Sequence, residues 1–215
     1  MLSGRQDLNI LNKEEVISKL KELISQDLRP LAPKFNVTVF TDEKKHSGRN
    51  KGWAGQVLER YIGLGVSNVQ APNGGRWELK MVSLKKLRSG TITPKETMQI
   101  TMINPEQVKN TRFEDSHLLA KLREMIICAR LYNDINETKS ILVSAGTFNL
   151  EDKELYEQVK DDYNLVRDTI NSKGFSALTG AMGVYVQPRT KGPGHGSISR
   201  AFYARPVFIK KILGI

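Results

Sequence analysis

The sequence has little cysteine, no long apolar run and none of the glycine-rich nucleotide-binding motifs. Cys128 is the single cysteine, which excludes an internal disulfide and a cysteine-based zinc site and predicts a buried core thiol. No segment approaches the roughly 18 uncharged apolar residues of a membrane-spanning helix, and the N-terminus lacks an apolar signal-peptide core, so we expect a soluble, cytoplasmic protein. The absence of Gly-x-Gly-x-x-Gly and P-loop patterns argues against a dinucleotide or nucleoside triphosphate cofactor.

Basic side chains outnumber acidic ones. The 215 residues include 33 Lys and Arg against 23 Asp and Glu, a formal net charge of +10. This balance favours a polyanionic partner such as nucleic acid, although ribosomal and membrane-surface proteins share it. The length suits one domain with a complete hydrophobic core.

The hydrophobic periodicity predicts an α/β fold with a central mixed sheet of about five strands flanked by helices. Helical spacing appears in residues 12–28, with Asn12 as N-cap, in 53–64, in 113–132, and in 150–174, with Gly174 at the end. The stretch TDEKKHSGRNKGWAG is polar and glycine-containing and predicts a loop. Alternating or short apolar runs predict strands in RWELKMVSL, ETMQITMI, SILVSAG, GVYVQPR and SRAFYARPV.

The strand RWELKMVSL carries the pattern most suggestive of catalysis. Glu78 and Lys80 are separated by one residue and therefore project from the same face. A carboxylate and an ammonium so placed suit a Mg²⁺ ion and a water that attacks phosphate, whereas alternating charges on an exposed strand are the plainer interpretation. Glu59 on the preceding helix is the right kind of residue to orient the water or the lysine, although alone it reads as a solvated helix charge.

Such a site requires a second acid just before the strand, and the sequence has none there. No Asp or Glu lies between Arg60 and Trp77. Asn73, which precedes a Gly-Gly turn, is the best candidate for the missing position and would ligate Mg²⁺ together with Glu78.

The segment PRTKGPGHGSISR, residues 188–200, combines basic side chains with glycine and proline. Arg189, Lys191, His195 and Arg200 come without a compensating acid. A mobile surface loop is one interpretation; we favour the other, in which these side chains contact phosphates and enter a DNA groove.

Five motifs in order resemble the MutH-type endonucleases, the family of the methyl-directed mismatch-repair nicking enzyme and related restriction enzymes. NKGWAGQVLE is similar to the family's Lys-Gly-Trp-x-Gly helix ending in Glu, and WELKM to its Glu-x-Lys strand. PKETMQI, TRFEDSHLLAKL and SRAFYARPVF resemble three further segments, and the likeness extends from about residue 50 to residue 212. The resemblance implies a restriction-endonuclease-like PD-(D/E)XK fold, Mg²⁺ as cofactor and double-stranded DNA as substrate.

Carried over by motif, the resemblance implies two sets of functional residues. The catalytic set is Glu59, Asn73, Glu78, Lys80, Glu96 and Lys121, with Asn73 and Glu78 as metal ligands. The DNA-binding set is Lys51, Gln187, Arg189, Lys191, His195, Arg200 and Tyr203. The family has Asp where this chain has Asn73, so we expect a site that holds Mg²⁺ poorly and cleaves slowly or not at all. Our hypothesis is a deliberately inactivated form of an enzyme that has Asp at this position; the alternatives are a natural amide and an acid that reaches the site from elsewhere in the chain.

We interpret the chain as a Mg²⁺-dependent, sequence-specific DNA endonuclease, a type II restriction enzyme in impaired form. The alternatives are a mismatch-repair nicking endonuclease activated by a repair partner protein, and a catalytically dead DNA-binding module. An RNA-binding protein is disfavoured because no aromatic-rich strand of the RNA-recognition type appears. We expect one endonuclease domain over 1–215, with a helical arm at 1–48 and the catalytic, DNA-binding core at 49–215, acting as a monomer or a DNA-induced dimer.

Overall fold

The computed structural model describes residues 12–64, 77–191 and 198–215. The helices in these ranges are α1 Lys13–Glu22, α2 Leu31–Lys34, α3 Trp53–Tyr61, α4 Pro105–Asn110, α5 His117–Arg123, α6 Lys153–Lys173 and α7 Pro206–Leu213. The strands are β1 Phe40–Asp42, β2 Ser47–Arg49, β3 Glu78–Lys86, β4 Ile92–Pro94, β5 Met98–Met102, β6 Met125–Tyr132, β7 Ser140–Phe148, β8 Val186–Thr190 and β9 Arg200–Ala204. Short 3₁₀ turns occur at Phe113–Asp115 and Phe175–Ala177.

The strands form two main sheets rather than one. The central sheet is mixed and has four strands in the order β4-β3-β6-β7, with β3 and β6 parallel. β5, β9 and β8 form a separate antiparallel sheet of three strands. The predicted α/β class with a mixed central sheet is confirmed, whereas that sheet has four strands and not all of the five expected ones belong to it. β5 pairs with β9, which lies about 100 residues later in the chain, and does not continue the sheet that β3 and β4 begin.

The prediction of a single helix over residues 113–132 was also wrong in its second half. α5 ends at Arg123, Glu124 has extended backbone angles, and β6 begins at Met125. β6 is an inner strand of the central sheet and is buried on both faces, so its sequence MIICARLY is mostly apolar. Such a strand lacks the polar alternation that distinguishes a strand from a buried helix.

The central sheet separates two hydrophobic clusters. Ile127 and Ala129 of β6 point to one cluster, which includes α5, α6 and α7, while Ile126 and Cys128 point to the other, which includes α1 and α3. Cys128 is fully buried, as predicted, and burial raises the pKa of its thiol to about 12. Helices therefore cover both faces of the sheet. The site described below lies at an edge of β3.

Several local predictions were confirmed. Asn12 caps α1 by accepting a hydrogen bond from the N–H of Glu14, and Gly174 follows the last residue of α6 with a positive φ of 83°.

The prediction of a loop at 41–55 was wrong in part, because this segment contains strand β2, which forms a hairpin with β1. In the described ranges, no helix is long and apolar enough to cross a membrane.

Candidate active site

Three elements bring the predicted acid and lysine side chains together. Glu78 is the first residue of β3 and is 1% exposed, and its N–H donates to the carbonyl of Glu124 at the start of the parallel pairing with β6. Lys80 follows on the same strand, while Lys121 comes from α5, the helix that leads into β6. The parallel pairing of β3 and β6 therefore sets the distance between Glu78 and the end of α5.

The Glu78 carboxylate contacts two ammonium groups. Lys80 Nζ lies 2.7 Å from Glu78 Oε1, and Lys121 Nζ lies 2.8 Å from Oε2. Lys121 is buried, whereas Lys80 reaches the cleft described next. A buried carboxylate is costly unless it is paired, and the two ammonium groups compensate the charge of Glu78.

A cleft of about 260 Å³ lies against β3, between α3 and the segment 96–99. Lys51, Glu59, Lys80 and Glu96 all line it. β4 pairs only with residues 84–86 of β3, so among the described residues no strand covers the edge of β3 beside the cleft. The cleft therefore exposes the backbone edge next to Glu78 and Lys80, the position at which a substrate group can approach.

Glu59 on α3 is the second carboxylate of the site. Burial raises the pKa of Glu59 above its ordinary value; the ammonium of Lys80 lowers it, the carboxylate of Glu78 raises it and Arg60 lowers it. Glu59 is therefore electrostatically coupled to the Glu78–Lys80 pair. A raised pKa makes the Glu59 carboxylate a stronger proton acceptor than an ordinary glutamate.

Carboxylates lie in the cleft and beside it, and carboxylate oxygen is the donor type that a hard divalent cation prefers. In ranges 12–64, 77–191 and 198–215 no three His, Cys, Asp or Glu side chains form a group that could hold a metal ion. Glu78 and Glu59 nevertheless supply two carboxylates of the type that Mg²⁺ prefers, and the oxygens of Glu78 have lone pairs beyond those used by the lysines. The repulsion that contributes to the raised pKa of Glu59 is what a cation would relieve.

Lys51 and Glu96 lie at the rim of the cleft. Lys51 is exposed just before α3, whose first residue is Trp53. The side chain of Glu96 is 58% exposed, and its Oε1 lies 3.9 Å from Lys95 Nζ. The structure thus places both residues where an incoming ligand would meet them, with Glu96 less constrained than Glu78.

The three-stranded sheet presents a polar face next to the cleft. Gln99, Tyr203 and Gln187 are register partners across β5, β9 and β8, and Gln99 also lines the cleft. Arg189, two residues after Gln187, donates from Nη1 to Thr97 Oγ1 at 2.9 Å, and its guanidinium lies 5.8 Å from the centre of the Tyr203 ring. Burial raises the pKa of Tyr203, while Arg189 lowers it and Glu96 raises it.

The remaining residues of the predicted DNA-binding set have different environments. Lys191 is exposed, and its N–H donates to the carbonyl of Ser199, which extends the β8–β9 pairing. Gln187 is buried. Arg200 contacts Thr190 Oγ1, the Ser176 carbonyl and the Phe175 ring, which ties β9 to its neighbours. Asn73 and His195 lie outside the described residues.

The wall of the cleft also contains a residue that the sequence interpretation missed. Arg130 of β6 is 3% exposed and donates to both oxygens of Glu137 and to Ser140 Oγ, at 2.6, 3.1 and 2.9 Å. Its guanidinium lies 5.2 Å from the ring of Trp53, the first residue of α3, and Glu137 also lies 3.7 Å from Arg49. An arginine inside the apolar run MIICARLY was the signal that could have identified it.

Comparison with known proteins finds similarity to MutH and to a restriction enzyme. The family model of the DNA mismatch repair enzyme MutH matches residues 70–162, which include β3, α5 and β6. The chain is 25% identical over 200 residues to the type II restriction enzyme Sau3AI of Staphylococcus aureus, covering 90% of this chain and 38% of that protein. It is 24% identical over 219 residues to the DNA mismatch repair protein MutH of Haemophilus influenzae strain PittEE, covering 93% of both.

The fold and the site define an α/β protein with a carboxylate–lysine cluster beside an open strand edge. The matches make the chain similar to MutH-type endonucleases over the part that carries this cluster. The chain spans well under half the length of Sau3AI but nearly all of MutH.

Proposed function

We propose that the chain is a Mg²⁺-dependent, sequence-specific endonuclease of double-stranded DNA, a type II restriction enzyme with the restriction-endonuclease-like PD-(D/E)XK fold. The observation that carries this proposal is the buried Glu78 carboxylate with two lysines at 2.7 and 2.8 Å, beside a cleft with an open strand edge. Carboxylate oxygens suit a metal ion, and lysine ammonium groups suit a phosphate diester. The formal charge of +10 favours the same substrate.

The residues in and beside the cleft have different roles in the proposed hydrolysis. Glu78, together with position 73, would hold Mg²⁺, which when bound polarises the scissile phosphate and offsets its developing charge. Lys80 faces the cleft and stabilises the phosphate charge or the attacking water, while Lys121 holds Glu78 in place. Glu59 orients the attacking water and accepts its proton, a role that fits its raised pKa. Glu96 supports the site from the rim.

The polar face of the three-stranded sheet would read the DNA. Arg189 and Tyr203 lie beside the cleft, so a duplex whose backbone enters the cleft would also meet this face. Lys51 and Lys191 add exposed positive charge for phosphate contacts. A DNA substrate is consistent with a cytoplasmic location. We further propose one endonuclease domain over 1–215, with a helical arm at 1–48, acting as a monomer or a DNA-induced dimer.

We propose that Asn73 impairs this activity. An amide keeps one oxygen ligand but removes a negative charge, so the site holds Mg²⁺ less tightly. The test is plasmid cleavage with Mg²⁺ by the parent chain and by Asn73→Asp, with EDTA and the double variant Asn73→Asp with Lys80→Ala as controls. We expect discrete cutting by Asn73→Asp only, abolished by EDTA and by the second substitution. If no variant cuts while the protein binds DNA, an endonuclease that acts unaided is refuted, in favour of a nicking endonuclease that requires a repair partner or of a DNA-binding module.

A mismatch-repair nicking endonuclease is the second candidate, because the alignment with MutH covers 93% of both chains. The same plasmid assay separates the two candidates. A restriction enzyme converts supercoiled plasmid to linear fragments unaided, whereas a nicking enzyme produces open circles and requires a repair partner for efficient activity.

A further inference from the structure

A buried carboxylate lies behind the strand that would read DNA. Asp162 belongs to the middle of α6 and is 2% exposed. Its Oδ1 accepts a hydrogen bond from the N–H of Val184, and its Oδ2 accepts from the N–H groups of Tyr185 and Val186, all at 2.7 Å. Gln158 donates a fourth hydrogen bond to Oδ1 at 3.1 Å. The carboxylate thus binds three consecutive backbone amides at the start of β8.

A partly buried arginine donates hydrogen bonds to backbone carbonyl groups of the same loop. Arg205, which follows β9, donates from Nη2 to the carbonyls of Gly180 and Met182 at 2.8 and 3.0 Å. Its backbone N–H donates to the carbonyl of Tyr185 at 2.8 Å. In the loop 180–186, backbone N–H groups therefore donate to the carboxylate of Asp162, and backbone carbonyls accept from the guanidinium of Arg205. We call Asp162, Arg205 and this loop the loop clamp.

Gly183 shows how closely the loop fits around Asp162. Its φ is +77°, and a Cβ at this position would lie 1.9 Å from the carbonyl oxygen of Val186 and 3.1 Å from Cγ of Asp162. Only glycine combines this backbone conformation with this approach. The loop has one conformation that fits the clamp, so the clamp determines where β8 begins.

The position of β8 depends on the loop clamp, on core packing of Val186 and on one strand pairing. Within the described residues β8 pairs with β9 alone, over five residues. The side chain of Arg189, on the polar face of β8, donates a hydrogen bond to Thr97 at the cleft. A small shift of β8 relative to β9 would move Arg189 away from the cleft, because its reach is set from the clamped end of the strand.

We propose that the loop clamp, with Asp162 as its main residue, positions β8 so that the protein distinguishes DNA sequences, without taking part in hydrolysis. This proposal rests on the proposed function. Charge-assisted bonds to backbone amides are geometrically demanding, and an amide in place of the carboxylate presents an NH₂ group to N–H donors. Asp162→Asn should therefore loosen the start of β8 while leaving the Glu78 cluster, which is built on other elements, in place.

The experiment selects bound duplexes from a pool with randomised central sequences and compares the parent chain with Asp162→Asn. We expect the parent to enrich a motif, and Asp162→Asn to bind the unselected pool with similar affinity but to enrich that motif about tenfold less. Leu20→Ala in α1, buried in the opposite hydrophobic cluster, is the control for a general loss of stability and should keep the parent's enrichment.

The outcomes separate the two levels of the argument. If Asp162→Asn enriches the parent's motif as strongly as the parent does, the clamp proposal is overturned while the proposed function stands. If the parent enriches no motif, the sequence-specific function is overturned and the clamp proposal with it. Should Asp162→Asn not fold, Arg205→Lys decides: it keeps the charge but cannot reach both carbonyls in the same way, and undiminished enrichment would overturn the proposal.

Discussion

Replacing Arg130 with methionine tests whether the ion pair in the cleft wall is electrostatically essential. The guanidinium and the carboxylate of Glu137 are both almost fully buried, and the three hydrogen bonds of Arg130 have lengths of 2.6 to 3.1 Å. Opposite charges about 4 Å apart attract by about 4 kcal/mol at an effective dielectric constant of about 20. Glu137 keeps Arg49 at 3.7 Å, so part of its charge stays compensated in the variant.

We expect Arg130→Met to lower the free energy of unfolding by about 3 to 4 kcal/mol, because a buried carboxylate loses its main partner. For a domain of this size, that corresponds to a decrease in Tm of about 6 to 16 °C. The double variant Arg130→Met with Glu137→Met removes both charges, so it should lie within about 1 kcal/mol of the parent. Urea denaturation at neutral pH measures all three proteins.

Arg29→Met is the matched control, because Arg29 also lies 2.6 Å from a glutamate, Glu43, but on the surface. An exposed pair contributes at most about 1 kcal/mol, so this variant should change stability little. The interpretation is refuted if the double variant loses at least as much stability as Arg130→Met alone, since the cost would then come from packing and not from an uncompensated charge.

Two further predictions concern a titrating group and a helix cap. The folded protein raises the pKa of Glu59 by burial and so retains a proton that the unfolded chain has released, which means that stability declines as pH rises through that raised pKa. Glu59→Gln should therefore be more stable than the parent at pH 7, with an advantage that shrinks towards the ordinary pKa of glutamate, as urea titrations at several pH values would show; an advantage that grows with acidity would contradict the sign. Asn12→Ala should cost about 1 kcal/mol in the same assay, because α1 loses the hydrogen bond at the Glu14 amide, and Asn12→Asp should restore it.

The sequence by itself determined the features that depend on neighbouring residues. The Asn12 cap, the Gly174 terminus and the same-face placement of Glu78 and Lys80 follow from spacings of a few residues, and all three are present in the structure. Lys121 entered the predicted site only through the family resemblance. A family motif can relate residues that lie far apart in the chain, which local patterns cannot do. Local patterns cannot distinguish a strand from a helix where a segment is buried on both faces. For this reason the sequence predicts β6 as the second half of a helix.

Only the tertiary structure decided the contacts between segments far apart in the chain. Lys121 meets Glu78 across 43 residues and Arg189 meets Thr97 across 92, and no local pattern specifies either distance. The partition into sheets of four and three strands, the pairing of Arg130 with Glu137 and the amides around Asp162 likewise depend on which elements pack together. Burial makes these polar contacts obligatory, because a charge taken out of water must find a partner wherever the fold brings one.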